Sequence, residues 1–195
     1  MKILATYNIK GGVGKTSTAV NIGHLAARDG LRVLLWDLDP QGAASFLLRV
    51  RPRVKGGGKA LIKGRRELDA AIKGTDFDRL DLLPADFTYR NLDLILDSTK
   101  KPTERLDRLL RPLADEYDLI VLDCPPSISL LSESVLHAAV VLFNTRAAID
   151  VQWCAIFIGQ RVHRRLIAPP LSVAKFKSAH GHLLHHRSIT VYHVV

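Results

Sequence analysis

Cysteine is nearly absent from the 195-residue chain: Cys124 and Cys154 stand far apart and without a C-x-x-C spacing. That scarcity excludes a disulfide framework and a cysteine-built zinc site, and it fits a reducing compartment. Long apolar runs are missing as well. The best candidate, residues 128–143, is interrupted by Ser132, Glu133 and His137, so nothing approaches the roughly 18 residues of a membrane span. The opening residues 1–7 are too short for a secretory signal and show no small-residue cleavage pattern, so a cytoplasmic protein is expected. Acidic residues are scarce in one region only. Residues 141–195 carry one against seven Lys or Arg, whereas residues 1–140 carry 18 against 21. Most of the net charge of +9 therefore belongs to the final 55 residues. A basic surface favours polyanions, nucleic acid or an anionic membrane face among them.

What is present suffices for a core. Hydrophobic residues make up 47% and charged residues 24%, which excludes whole-chain disorder. A chain of this length buries roughly 70% of its unfolded surface. Over the first 140 residues, short apolar runs alternate with helical spacing, the pattern of an α/β fold with a parallel sheet flanked by helices. Strands are predicted at 3–7, 31–37, 80–83, 119–122 and 140–144. Helices are predicted over 16–29, 42–48, 67–73, 91–96, 103–115 and 130–140. Gly30 and Gly74 are expected to end helices, and Thr103 to cap one whose positions 106, 109, 110 and 113 face inward. Residues 49–66 contain eight basic residues, no acidic one and the triplet Gly56-Gly57-Gly58, which reads as a mobile surface loop. Residues 141–195 hold six of the eight histidines and read as an atypical segment that completes or replaces the end of the same domain. His180, His182, His185 and His186 lack carboxylate or cysteine partners, so no metal site is expected there.

The sharpest local signal is Asn8-Ile9-Lys10-Gly11-Gly12-Val13-Gly14-Lys15-Thr16, set between the first strand and the first helix. Glycines allow a tight turn that presents backbone N–H groups to phosphate oxygens, and the helix that follows adds the positive end of its dipole. Lys15 is then placed to reach the terminal phosphates, and the Thr16 hydroxyl to hold magnesium. Asp123, at the end of an apolar strand, is placed at the carboxyl edge of the sheet beside that loop, facing magnesium. Asp37 and Asp39 also follow a strand. Alternation points them in opposite directions, one toward the fold or the metal and the other toward the nucleotide.

The segment from Lys10 to Thr16 resembles the deviant Walker A motif of the ParA/MinD family of ATPases. Two further segments resemble that family in the same order. Leu34-Leu35-Trp36-Asp37-Leu38-Asp39-Pro40-Gln41-Gly42 is similar to its second-strand motif, and Tyr117-Asp118-Leu119-Ile120-Val121-Leu122-Asp123-Cys124-Pro125-Pro126-Ser127 to its Walker B strand. The resemblance covers about residues 1–140. It implies a three-layer P-loop NTPase fold and an ATP hydrolase with ATP and Mg2+ as ligands. Lys10, Gly11, Gly12, Val13, Gly14, Lys15, Thr16 and Ser17 are the implied nucleotide contacts, and Thr16, Asp39 and Asp123 the implied metal residues. Lys10, Lys15 and Asp39 are the implied catalytic residues: Lys10 reaches the partner's phosphates across an ATP-dependent homodimer, and Asp39 orients the attacking water.

Residues 188–195 offer no basic amphipathic helix of the MinD type, so no membrane partner is expected. The chain also starts directly at its first strand, without the DNA-binding extension of some plasmid partition ATPases. It resembles the short chromosome or plasmid partition type, which implies non-specific DNA binding, a nucleoid-associated state and a ParB-like activator. Arg51, Arg53, Lys55 and Lys59 are candidate phosphate contacts. A truncated, non-catalytic remnant that binds nucleotide weakly, or acts only through protein association, is the alternative.

Overall fold

The continuous apolar runs become strands of one sheet, seven-stranded among the described residues. In the computed structural model, which describes residues 1–139, 141–145 and 190–194, these are β1 (Lys2–Thr6), β2 (Val33–Asp37), β3 (Lys73–Gly74), β4 (Leu80–Leu83), β5 (Leu119–Asp123), β6 (Val141–Thr145) and β7 (Thr190–Val194). Their order is β3-β4-β2-β5-β1-β6-β7, with only the β3–β4 pair antiparallel. β2 and β5 are buried at all five positions because they lie mid-sheet with both faces covered.

The helices are α1 (Lys15–Arg28), α2 (Ala43–Leu47), α3 (Gly57–Lys63), α4 (Arg65–Ala71), α5 (Leu92–Asp97), α6 (Arg105–Leu110) and α7 (Leu130–Ala138). Strand alternation divides them into layers. Val33, Leu35, Leu119 and Val121 pack with Ala19, Ile22 and Ala26 of α1. Leu34, Trp36, Ile120 and Leu122 belong to the opposite cluster, with Leu61, Leu68, Leu96, Leu106 and Val135 from α3 to α7. The result is the three-layer α/β fold expected from the sequence. Among the described residues, no helix is long and apolar enough to cross a membrane.

The structure corrects four local expectations. Residues 49–66 are not a mobile loop: they carry α3 and the start of α4, and Val54, Leu61 and Ile62 are buried in the core. Burial of three apolar side chains outweighs the turn-forming composition around them. The helix predicted over 67–73 ends at Ala71. Gly74 is therefore no helix cap but half of the edge strand that pairs Lys73 with Leu82 and itself with Asp81. Thr103 does not cap a helix either. It lies inside the 3-10 turn Pro102–Glu104, and α6 starts at Arg105. The helix predicted over 103–115 changes to a 3-10 turn at Arg111–Asp115, because Pro112 has no N–H to donate to the helical ladder. The inward face is nevertheless as expected, since Leu106, Leu109, Leu110 and Leu113 are all buried. The β7 strand has no counterpart in the sequence reading, and His180, His182, His185 and His186 lie outside the described residues.

Candidate phosphate-binding site

Parallel register brings the ends of three strands together. Thr6 of β1 and Asp37 of β2 both pair with Asp123 of β5, so a hydroxyl and two carboxylates sit level at the carboxyl edge of the sheet. All three are fully buried. Residues 7–14 leave this edge from β1 and turn into α1.

The turn needs glycine at two points. Gly12 (φ 70) and Gly14 (φ 82) adopt left-handed backbone, which costs an L side chain roughly 1–2 kcal/mol. A Cβ at Gly11, Gly12 or Gly14 would meet nothing within 4 Å, so the loop curves around open space. Asn8 Oδ1 accepts from Lys10 N at 2.9 Å and braces the first half of the turn. Gly14 occupies the N-cap of α1, no side chain caps the helix, and no acidic residue lies in its first turn. The N–H groups of that first turn and the positive end of the helix dipole therefore face the loop without a side-chain acceptor.

Lys15 is buried, at 7% exposure, and its ammonium donates to Lys10 O at 3.1 Å, across the mouth of the loop. Lys10 itself is exposed, Val13 and Thr16 are half-buried, and Ser17 is exposed. A buried ammonium and a row of backbone donors around open space form a trap for a polyanion of phosphate size.

The carboxylates differ in what holds them. Asp37 Oδ2 accepts from both the backbone N and the hydroxyl of Ser45, each at 2.7 Å, and Ser45 Oγ in turn accepts from Ala85 N at 2.9 Å. Asp37 thus ties α2 and the segment after β4 to the end of β2. Burial, opposed by those Ser45 bonds, pushes its pKa up to about 6. Asp39 is half-buried. Its Oδ1 accepts from Gln41 N at 2.9 Å and its carbonyl from Gly42 N at 2.9 Å, so it also shapes the turn after β2. Asp37 is therefore the anchor of the pair and Asp39 the one on the loop side.

Asp123 is fully buried and only half satisfied. Oδ1 accepts from Thr6 Oγ1 at 3.3 Å, while Oδ2, equally buried, has no hydrogen-bond partner. Burial drives its pKa up to about 7. The Thr16 and Thr6 hydroxyls oppose the shift, and the charges of Asp37 and Asp39 reinforce it. A carboxylate oxygen held dry and unpartnered beside a phosphate trap is suited to a cation. Among the described residues, no three His, Cys, Asp or Glu side chains are grouped closely enough to hold a metal alone. Magnesium takes few protein ligands and completes its shell with phosphate oxygens and water.

The sequence placed Lys10, Gly11, Gly12, Val13, Gly14, Lys15, Thr16, Ser17, Asp39 and Asp123 at the site, and the fold brings all of them to the same edge of the sheet. It adds Thr6, Asn8 and Ser45. Thr6 and Ser45 are buried hydroxyls paired with the strand-end carboxylates Asp123 and Asp37, a signal visible only once the strand ends are known. Tyr7 adds a strap, donating from its hydroxyl to Ser127 O at 3.0 Å and fixing the loop after β5.

Comparison with known proteins agrees with this geometry. The model of a family described as AAA domain matches residues 1–147. Over 139 residues the chain is 39% identical to the sporulation initiation inhibitor protein Soj of Bacillus subtilis, covering 71% of this chain and 55% of that protein. Over 141 residues it is 38% identical to the chromosome partitioning protein ParA of Myxococcus xanthus, covering 71% and 49% respectively. Among solved structures, a cobyrinic acid a,c-diamide synthase from Mycobacterium smegmatis, with bound ATP analog and magnesium, is similar at 31% identity and a TM-score of 0.69. That match covers 83% of this chain and 69% of the other. The chain spans about half the length of the curated relatives it matches. With the family model matching residues 1–147, the chain belongs to the AAA domain family, and the curated proteins it resembles include Soj and ParA.

Proposed function

We propose that the protein is an ATP-dependent switch of the partition type, which binds Mg2+-ATP at the loop of residues 10–17 and hydrolyses it slowly. The observation that carries this reading is the combination of an uncapped α1, the buried Lys15 ammonium and the unpartnered Oδ2 of Asp123. Magnesium, when bound, supplies charge neutralisation on the phosphate oxygens. Thr16 and Asp123 are the residues that would hold it, with Asp39 at the same edge.

Each residue has a task in this reading. The amides of residues 11–16 orient the phosphates. Lys15 exchanges its Lys10 carbonyl for a phosphate oxygen, a charge-assisted bond stronger than the neutral one it gives up. Asp39, on the turn after β2, orients the attacking water. Lys10, exposed on the outer rim, is available to a second copy, where its ammonium would act as an arginine finger does. The ATP-bound homodimer then binds DNA without sequence preference, and a ParB-like partner stimulates turnover. Arg53, Lys55 and Lys59 are exposed on a segment pinned to the core and supply phosphate contacts. Arg51 stands in the wall of a cleft beside α2. Among the described residues, nothing in the site favours a non-catalytic remnant that binds nucleotide weakly or acts only through protein association.

The test is ATP turnover with and without DNA, in the parent and in Lys15→Ala. Loss of about 100-fold or more is expected on removing a positioned cation from a charged transition state. Equal turnover in the two proteins would move the chemistry elsewhere.

A further inference from the structure

Exposed large apolar side chains are few among the described residues, and two of them are consecutive: Phe46 is 80% exposed and Leu47 53%. Both belong to α2 and line an open cleft of about 1030 Å³. Val50 and Pro52 continue the apolar lining, and Arg49 and Arg51 stand in the same wall. None of the lining side chains is a carboxylate. Arg49 makes an ion pair with Asp76 at 3.5 Å with both side chains well exposed, an arrangement worth little and readily exchanged. An aromatic and an aliphatic side chain left in water beside two arginines is a costly surface unless something covers it.

We infer that this cleft docks an amphipathic helical segment of a partner protein, with an apolar face on Phe46 and Leu47 and carboxylates on Arg49 and Arg51. Duplex DNA suits the arginines but not the apolar lining, because its outer surface is hydrated phosphate. A helix with apolar residues at i, i+3, i+4 and i+7 flanked by acidic residues matches both halves. The arginines would then form charge-assisted pairs in a partly dry setting, where they are worth more than on open surface.

The cleft also touches the phosphate site. Thr16 and Ser17, at the start of α1, and Gln41 and Gly42, on the turn shaped by Asp39, belong to its lining. Asp37 fixes α2 through Ser45. A segment seated against α2 thus contacts the turn that carries Asp39, and any change it makes in nucleotide affinity is matched by an equal change in its own affinity when nucleotide binds. This coupling rests on the nucleotide reading above; the docking itself does not.

The experiment is selection from a displayed library of random 16-residue peptides against the full chain, without nucleotide, followed by binding of a selected peptide to variants. Enrichment of acidic sequences with apolar residues at helical spacing is expected, with binding about tenfold or more weaker in Phe46→Ser and in Arg51→Glu. Both positions are exposed, and an unchanged melting temperature verifies that the variants fold. ATP binding measured in the same variants keeps the two readings apart, since it should survive both changes. The inference is overturned by the absence of such enrichment, or by enrichment that both variants retain. It is also overturned if Phe46→Ser dissolves a dimer in sedimentation, making a second copy the occupant, or if duplex DNA displaces the peptide, making nucleic acid the occupant.

Discussion

Two glycine-rich basic segments look alike in the sequence and do opposite things in the fold. In residues 10–16, a Cβ at Gly11, Gly12 or Gly14 meets nothing within 4 Å, and α1 begins without a side-chain cap. In residues 55–59, a Cβ at Gly57 would lie 2.4 Å from Thr88 Oγ1 and one at Gly58 2.8 Å from Leu92 Cδ2. There, Gly58 N donates to Thr88 Oγ1 at 2.8 Å, so the amide is already used. Thr88 is held in turn by Asp86, which also accepts from Val54 N at 2.8 Å. One segment uses glycine to leave room for an anion, the other to let two pieces of chain touch. Only the first can bind phosphate through its backbone.

Substitutions sharpen that contrast. Gly57→Ala forces a Cβ into Thr88 at a left-handed φ of 61. Overpacking and backbone strain together should cost about 3 kcal/mol, lowering the melting temperature by roughly 6–12 °C for a chain of this size, while ATP affinity is unchanged. A rise in stability, or loss of ATP binding instead, would break the distinction between the segments.

A smaller effect is expected from pH at the first segment. Asp123, with a pKa of about 7, must lose its proton to hold magnesium. Magnesium affinity should therefore fall about tenfold, or roughly 1.4 kcal/mol, between pH 8 and pH 6. Asp37, at about 6, steepens the fall below that. In the metal-free protein the sign reverses: a raised folded-state pKa makes stability decline as the pH rises from about 4 to 7. Magnesium titration at the two pH values, beside thermal melts without magnesium, reads both slopes. A flat magnesium affinity would remove Asp123 from the metal site.

The smallest effect on stability belongs to Gly12→Ala. Its Cβ meets only open space, so backbone strain of about 1 kcal/mol is all that is expected, seen as a few degrees in a thermal melt. ATP affinity should nevertheless drop, because the altered turn misaligns the amides that face phosphate. A large loss of stability here would mean that this loop, too, is packed.

Much of this was legible in residue order. The apolar runs that became β2 and β5, the 3.6-residue spacing in α1 and the carboxylate at the end of β5 follow from period and burial alone. The glycine contrast was not legible, because composition cannot distinguish a glycine facing open space from one facing Thr88, 31 positions downstream of Gly57. Strand alternation alone could not say which of Asp37 and Asp39 anchors the fold, although the family resemblance pointed to Asp39 for the site. Their roles depend on Ser45, whose partner is set by the turn of α2 rather than by any local motif. Pro112 was visible, yet the helical pattern over 103–115 hid its effect.

Equilibrium binding of a fluorescent ATP analogue with magnesium, to the parent and to Lys15→Ala, tests the phosphate site most directly. Saturable binding by the parent, lost or weakened by at least about tenfold in the variant, is the expected result. No binding by the parent, or the same affinity in both, would contradict it.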